Sequence, residues 1–408
     1  MLSIPAIQPS AQCRTGSLRL KRVGRILFGI SWTLFGCEMF LRLLAPQPLM
    51  PRNVIASNFG IRVNAPNQSY WQTTPEVHVQ LRINSQGIRA DEEIPLEKPA
   101  GTKRIVVLGD SYGMGYEVDL KDTFTTQMAN RLNAAGQKVQ IINLSVSGYG
   151  NAEELLMLEN RGFAFHPDLV LLAWHQSDYD DNVRSQLFAL SDGKLVRDHA
   201  EYLPGVKARQ MLDHIPAYGW IEANSMLYSF VRERAAGKIK AILSAVRGGG
   251  DESTAPALAA MTNAGPIPTT RPAFVQPAQA SYSDRLTVAL LAKIQDECEQ
   301  RGVKFMILDV PTWISRTWFE SQFPHEAAKG PAKFDIVSPL AAFKPHLGEK
   351  LFWEKGHYHF TILGCQLVGE ALSDHILQEK LLDANAPTAK GFDAGGAADF
   401  SPSTGFQK

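Results

Sequence analysis

Cysteine is scarce. The chain has four in 408 residues, Cys13, Cys37, Cys298 and Cys365. None forms a Cys-x-x-Cys pair or falls into a zinc-like Cys/His spacing, so no metal site and no disulfide framework is signalled. A charge surplus of one sign is also lacking. The 41 Lys and Arg residues are balanced by 41 Asp and Glu, which argues against nucleic acid as a partner, because phosphate binding needs a basic excess or stripe. Gly113-Met-Gly115 lacks the third glycine of a dinucleotide loop, and no Lys-Ser/Thr pair follows to make a phosphate cradle. No cofactor is expected.

Near the amino terminus a cleavage site is missing. Arg14, Arg19, Lys21, Arg22 and Arg25 precede an apolar stretch from Ile26 to Ala45, interrupted by Glu38 and Arg42, and no Ala-x-Ala follows. About 20 such residues are enough to span a bilayer. The reading is an uncleaved signal anchor at 26–45, with the basic tail 1–25 cytoplasmic and everything after Pro46 on the far side, the periplasmic side of a bacterial inner membrane. Glu38 and Arg42, spaced i, i+4, can pair on one helix face and belong near the outer boundary.

Residues 46–103 read as a lead-in that packs on the main domain, with one alternating strand at Val77–Ile83 and a turn at Asn84-Ser-Gln-Gly87. The main domain spans 104–382. Apolar runs Arg104–Gly109, Lys138–Asn143, Asp168–Trp174 and Val303–Asp309 read as strands covered on both faces. Helices are expected between them. One starts after an Asp122 cap and shows Phe124, Met128 and Leu132 on one face. Another opens with a capping box at Asn151-Ala-Glu-Glu154. A third covers about 282–301, and a last one runs from Thr361 to about Gln378. Strands alternating with helices imply an α/β fold with a mostly parallel sheet. Residues 183–280 form an irregular excursion, its best helix at about 222–238 and its stretch 248–280 a flexible low-complexity run; the Ala/Gly/Ser-rich tail 383–408 reads as disordered.

Chemistry points to four blocks. Gly109-Asp-Ser111 ends the first strand of the domain with a serine in a tight turn. Asn143-Leu-Ser-Val-Ser-Gly148 follows the second strand and offers a bare glycine N–H. His175-Gln-Ser-Asp178 follows the third. Glu354-Lys-Gly-His-Tyr-His359 precedes the last helix and offers a base. A serine needs a base to take its proton and fixed donors for the oxyanion that forms. Gly109-x-Ser111-x-Gly113 also fits a nucleophile elbow formally, but the order of the blocks does not suit an α/β-hydrolase.

The order and spacing of the four blocks resemble the SGNH/GDSL hydrolase superfamily across about residues 80–380, and Leu81–Arg89 before the serine resembles its membrane-anchored bacterial members. That resemblance implies a three-layer α/β/α sandwich of flavodoxin-like type, Ser111 as nucleophile, and an oxyanion hole from Ser111, Gly148 and Ser177. Ser177 stands where the family has asparagine, with Asp178 on the family's aspartate and Gln176 as a substitute donor. His359 is the expected base and His357 the alternative. The family's aspartate position falls on Gly356 or His357, so Glu354 is the expected orienting acid, with Asp309 a further carboxylate. The implied activity is an esterase or O-acyltransferase for acyl, foremost acetyl, esters of envelope or exported polysaccharide. A catalytically degenerate protein that binds glycan or an assembly partner is the competing class. A soluble intracellular lipid or thioester hydrolase is a third, excluded if 26–45 insert into a membrane.

Overall fold

A computed structural model describes residues 12–247, 281–324 and 333–383. The low-complexity run 248–280 and the tail from 384 lie outside the described residues. The described residues begin with helix α1 (Gln12–Leu44), which starts well ahead of the expected boundary at 26. Within it Lys21–Leu44 is long and apolar enough to cross a membrane; its 24 residues measure about 36 Å at 1.5 Å each, against roughly 30 Å of hydrocarbon.

The lead-in holds two antiparallel pairs, β1 (Val54–Ala56) with β2 (Arg62–Asn64), and β3 (Gln68–Thr73) with β4 (His78–Ile83). Met50, Tyr70, Leu81 and Ile83 from this region pack with Met114 and Tyr116 beside the candidate site.

The main sheet is built from β5 (Lys103–Gly109), β6 (Val139–Asn143), β7 (Leu169–Trp174), β10 (Lys304–Asp309) and β13 (Ile336–Val337). All neighbouring pairs are parallel, in the order β13-β10-β7-β5-β6. Along β5 the side chains alternate, so Val106 and Leu108 enter one core and Ile105 and Val107 the other. The first core is covered by α4 (Asn151–Asn160), α5 (Ser177–Ser185) and α9 (Tyr282–Gln300). The second is covered by α3 (Phe124–Ala134) and α11 (Ile362–Gln378). This is a three-layer α/β/α sandwich, and the strand order is flavodoxin-like, with its switch point between β5 and β7.

Several helix starts differ from expectation. The cap of α3 is Thr123, whose hydroxyl accepts from Thr126 N–H at 3.3 Å, not Asp122. The box before α4 is displaced by one residue: Glu153 Oε2 accepts from Gly150 N–H at 3.1 Å, and Asn151 is already helical. The described residues of the excursion hold a hairpin, β8 (Phe188–Ser191) with β9 (Lys194–Arg197), and three helices, α6 (Val206–Asp213), α7 (Tyr218–Asn224) and α8 (Met226–Arg247), so the helix expected at 222–238 breaks at Ser225 and runs on to Arg247. A further small hairpin, β11 (Thr312–Ser315) with β12 (Trp318–Glu320), and the short α10 (Leu340–Phe343) lie among the described residues before α11.

The charges near the end of α1 have partners on the excursion. Glu38 accepts from Met226 N–H at 3.0 Å, Leu227 N–H at 2.9 Å and Ser225 Oγ at 2.9 Å, while Arg42 Nε holds Glu38 at 2.8 Å. Helix α1 therefore caps α8, satisfying amide donors that a helix start leaves without acceptors.

Candidate active site

The site gathers at the carboxyl ends of β5, β6 and β7, around the switch point. Asp110 Oδ1 accepts from Tyr112 N–H at 2.8 Å and so turns the chain sharply out of β5 into the short helix α2 (Ser111–Met114). That places Ser111 at the first helical position, where the N–H has no acceptor within the helix.

Thr361 caps α11, its hydroxyl accepting from Gly364 N–H at 3.2 Å, and this fixes the loop that carries His359. His359 is buried, and its two ring nitrogens face two different partners. Nε2 lies 2.8 Å from Ser111 Oγ and Nδ1 lies 2.6 Å from Glu117 Oε2. An ionised carboxylate can only accept, so Nδ1 carries a proton toward Glu117 and Nε2 is left as the acceptor for the Ser111 hydroxyl. Tyr112 and Tyr116 set their rings edge-on to the imidazole, at centroid distances of 5.0 and 5.6 Å.

The acid beside His359 is thus Glu117, and the expectation for Glu354 is corrected. Glu354 is tied to Arg316 at 2.6 and 3.0 Å, and both ring nitrogens of His359 are taken by Glu117 and Ser111. Asp309 is buried at the end of β10, but the ring of His359 is already engaged on both sides. The register explains the exchange. A Cβ built on Gly356 would overlap the Glu117 carboxylate, so the glycine at 356 leaves the space that Glu117 fills.

Glu117 reaches that place on a constrained loop. Its backbone is left-handed, with φ +65°, uncommon for a residue with a side chain. Its N–H donates to Gln72 Oε1 at 3.0 Å. Arg89, fully enclosed, donates to the carbonyls of Met114 (2.8 Å), Gly115 and Val118 (2.6 Å) and so clamps the loop on both sides of Glu117. Burial by itself would raise the Glu117 pKa. The hydrogen bond and charge of His359, with His357 adding to both, bring it below the usual carboxylate value.

His357 does not reach Ser111's partner position. Its ring centroid is 6.1 Å from that of His359, its backbone N–H donates to Glu117 Oε2 at 3.3 Å, and burial, followed by the neighbouring His359, pushes its pKa down to about 4. It is neutral at physiological pH.

The two loops expected to stabilise an oxyanion flank this group. Gly148 follows β6 at φ +77°, a conformation that strains any residue with a Cβ, and its carbonyl accepts from Arg62 Nη2 at 2.6 Å. Asn143 Nδ2 donates to Gly113 O at 2.8 Å, tying this block to the serine turn. Ser177 opens α5 with its hydroxyl 2.8 Å from His175 Nδ1 and 3.4 Å from Asp110 Oδ2. Asp178 is held below by His175 N–H and Asn151 Nδ2. It shares a buried acidic layer with Asp110 and Glu154. Burial and then mutual repulsion raise Asp178 well above its ordinary value. Burial, with the charges of Asp110 and Glu153 adding, brings Glu154 to about 8. Among the described residues no group of His, Cys, Asp and Glu could hold a metal ion.

Fold and site together define a three-layer α/β/α protein with a serine, histidine and glutamate aligned at the sheet's switch point. No protein-family model matches the chain, and no curated protein matches it in sequence. Solved structures do resemble it. A lipase/acylhydrolase from Enterococcus faecalis is 14% identical, with a TM-score of 0.35, over 68% of this chain and 96% of its own. An acetyl xylan esterase, AlAXEase, is 12% identical, with a TM-score of 0.34, over 67% and 99%. A member of the lipolytic protein G-D-S-L family from Veillonella parvula DSM 2008 is 10% identical, with a TM-score of 0.34, over 68% and 99%.

Proposed function

We propose that the chain is a serine esterase or O-acyltransferase of SGNH type, acting on acyl, foremost acetyl, esters of envelope or exported polysaccharide. The supporting observation is the unbroken line Ser111 Oγ–His359–Glu117, with contacts of 2.8 and 2.6 Å. Ser111 Oγ attacks the ester carbonyl while His359 Nε2 takes its proton. The proton then passes to the departing sugar oxygen, leaving an acyl group on Ser111. Water or a second sugar hydroxyl, deprotonated by the same nitrogen, removes the acyl group. The N–H groups of Ser111 and Gly148 are the proposed oxyanion donors. The Ser177 hydroxyl joins them only by leaving His175 and Asp110. Glu117 holds the imidazole in the needed tautomer and stabilises the imidazolium. The full chain is proposed to sit in a membrane through α1, with the site on the non-cytoplasmic face.

Turnover of a small acetyl ester by the full-length protein tests the enzyme reading, with Ser111→Ala as control. Turnover lost in the variant supports it. A folded wild type without turnover toward small acetyl esters or acetylated glycan favours the binding-protein reading, for which Ser177's contact with Asp110 is the motivating observation.

A further inference from the structure

The excursion after β9 exposes large apolar side chains in quick succession. Met211 is 71% exposed, Ile215 51% and Trp220 67%, on or between α6 and α7. Isolated exposed apolar residues are ordinary, but a cluster of this kind marks an interaction surface. Its place in the fold says what covers it. Trp220 stands one helical turn before Asn224, whose side chain donates to the Trp220 carbonyl at 2.9 Å. The Asn224 carbonyl in turn accepts from Arg42 of α1. Around Arg42 the anchor exposes Phe40 at 57%, Leu43 at 73% and Leu44 at 72%. The apolar surface of α1 thus continues onto α7 at the level of the last charges of the anchor, where a spanning helix leaves the hydrocarbon. Tryptophan is favoured at that depth, with its ring among acyl carbons and its N–H toward water.

The mount is rigid at this joint. Besides the Glu38 cap on α8, Arg232 of α8 donates to Met50 O at 3.0 Å, just beyond the anchor. Glu222 of α7 accepts from Arg209 of α6 and from Arg232 at 3.2 Å, joining the three helices.

We propose that α6 and α7 seat in the headgroup layer of the bilayer that α1 crosses, with Trp220 as the principal contact. The excursion is then a second, peripheral membrane attachment that fixes the tilt of the sandwich, rather than a docking face for a soluble partner. The proposal rests on α1 spanning the membrane, and Trp32 within α1 provides a separate reporter of that.

The full-length protein is reconstituted in nanodiscs of phosphatidylcholine that is unmodified, brominated near the headgroup end of the acyl chains (read for Trp220) or brominated toward their methyl ends (read for Trp32), and tryptophan quenching by the bromines is read. The expected result is quenching that shrinks in Trp32→Phe and shrinks again when Trp220→Phe is added. Both side chains are largely exposed in the protein, so neither change threatens the fold. Glu38→Gln in the Trp32→Phe background is expected to weaken the Trp220 quenching. If Trp32→Phe reduces quenching and Trp220→Phe does not, the seat is wrong and the anchor stands. If neither reduces it, the spanning reading fails and the seat fails with it.

Discussion

Glu117 Oε2 and His359 Nδ1 lie 2.6 Å apart although 242 residues separate them in the chain. The acid that faces the imidazole thus comes from the loop after Ser111, while Glu354 of the histidine loop is paired with Arg316. The expected consequence is measurable. Glu117→Gln preserves size but removes the anionic acceptor, and loss of tautomer control of this kind lowers kcat by about 10⁴-fold in serine hydrolases. Glu354→Gln leaves kcat unchanged, since its carboxylate belongs to an exposed pair with Arg316. Steady-state turnover of an acetyl ester decides between them.

Gly356→Ala is expected to reproduce the loss seen in a Glu117→Ala variant, because a Cβ at 356 and the Glu117 carboxylate compete for one space. The double variant is expected to cost no more than either single change, the non-additivity of residues that act as a unit. Independent, multiplying losses would contradict the shared space.

The two histidines separate cleanly. His359→Ala is expected to reduce turnover to background. His357→Ala retains it, and the wild-type pH profile shows no step from His357 above pH 5, since that ring titrates near 4.

Much of this was legible in the sequence for a physical reason. Strands covered on both faces read as continuous apolar runs, and all four in the order Arg104, Lys138, Asp168 and Val303 are present in the sheet. Ser111 at a strand end and two histidines, His357 and His359, ahead of a helix stand out by position, and the preference for His359 comes from the resemblance. Glu117 was not legible. It lies in a loop with no periodic pattern, in a backbone conformation that Gln72 and Arg89 impose from a distant part of the chain. One local signal existed, a glutamate soon after the serine turn together with a glycine, Gly356, in the histidine loop. The β8–β9 hairpin also had a signal that went unread, Asp192-Gly193 between two alternating segments, and both residues adopt positive φ.

The acidic layer beneath the site gives a stability prediction. The Glu154 carboxyl is raised to about 8 in the fold, above its ordinary value near 4.5. Its contribution to stability is therefore fully present below pH 4.5 and is lost as pH rises through 8. Glu154→Gln is expected to raise the denaturant midpoint at pH 8.5 relative to the wild type, and by less at pH 5. Equal shifts at the two pH values would show that Glu154 does not titrate there.

Arg89 clamps the Glu117 loop through three carbonyls. Arg89→Met is expected to destabilise the protein by about 3 kcal/mol or more, the scale of leaving buried acceptors unpaired, and to lower kcat further than the loss of folded protein explains. Chemical denaturation followed by turnover per folded molecule separates the two effects.

The most direct test of the account is covalent. The full-length protein in detergent is treated with a fluorophosphonate and digested, and the modified peptide is identified by mass spectrometry. A single adduct on Ser111, lost in Ser111→Ala and greatly slowed in His359→Ala and Glu117→Gln, is the predicted result. An unmodified Ser111 in a folded protein, or an adduct that forms equally well without His359, would contradict it.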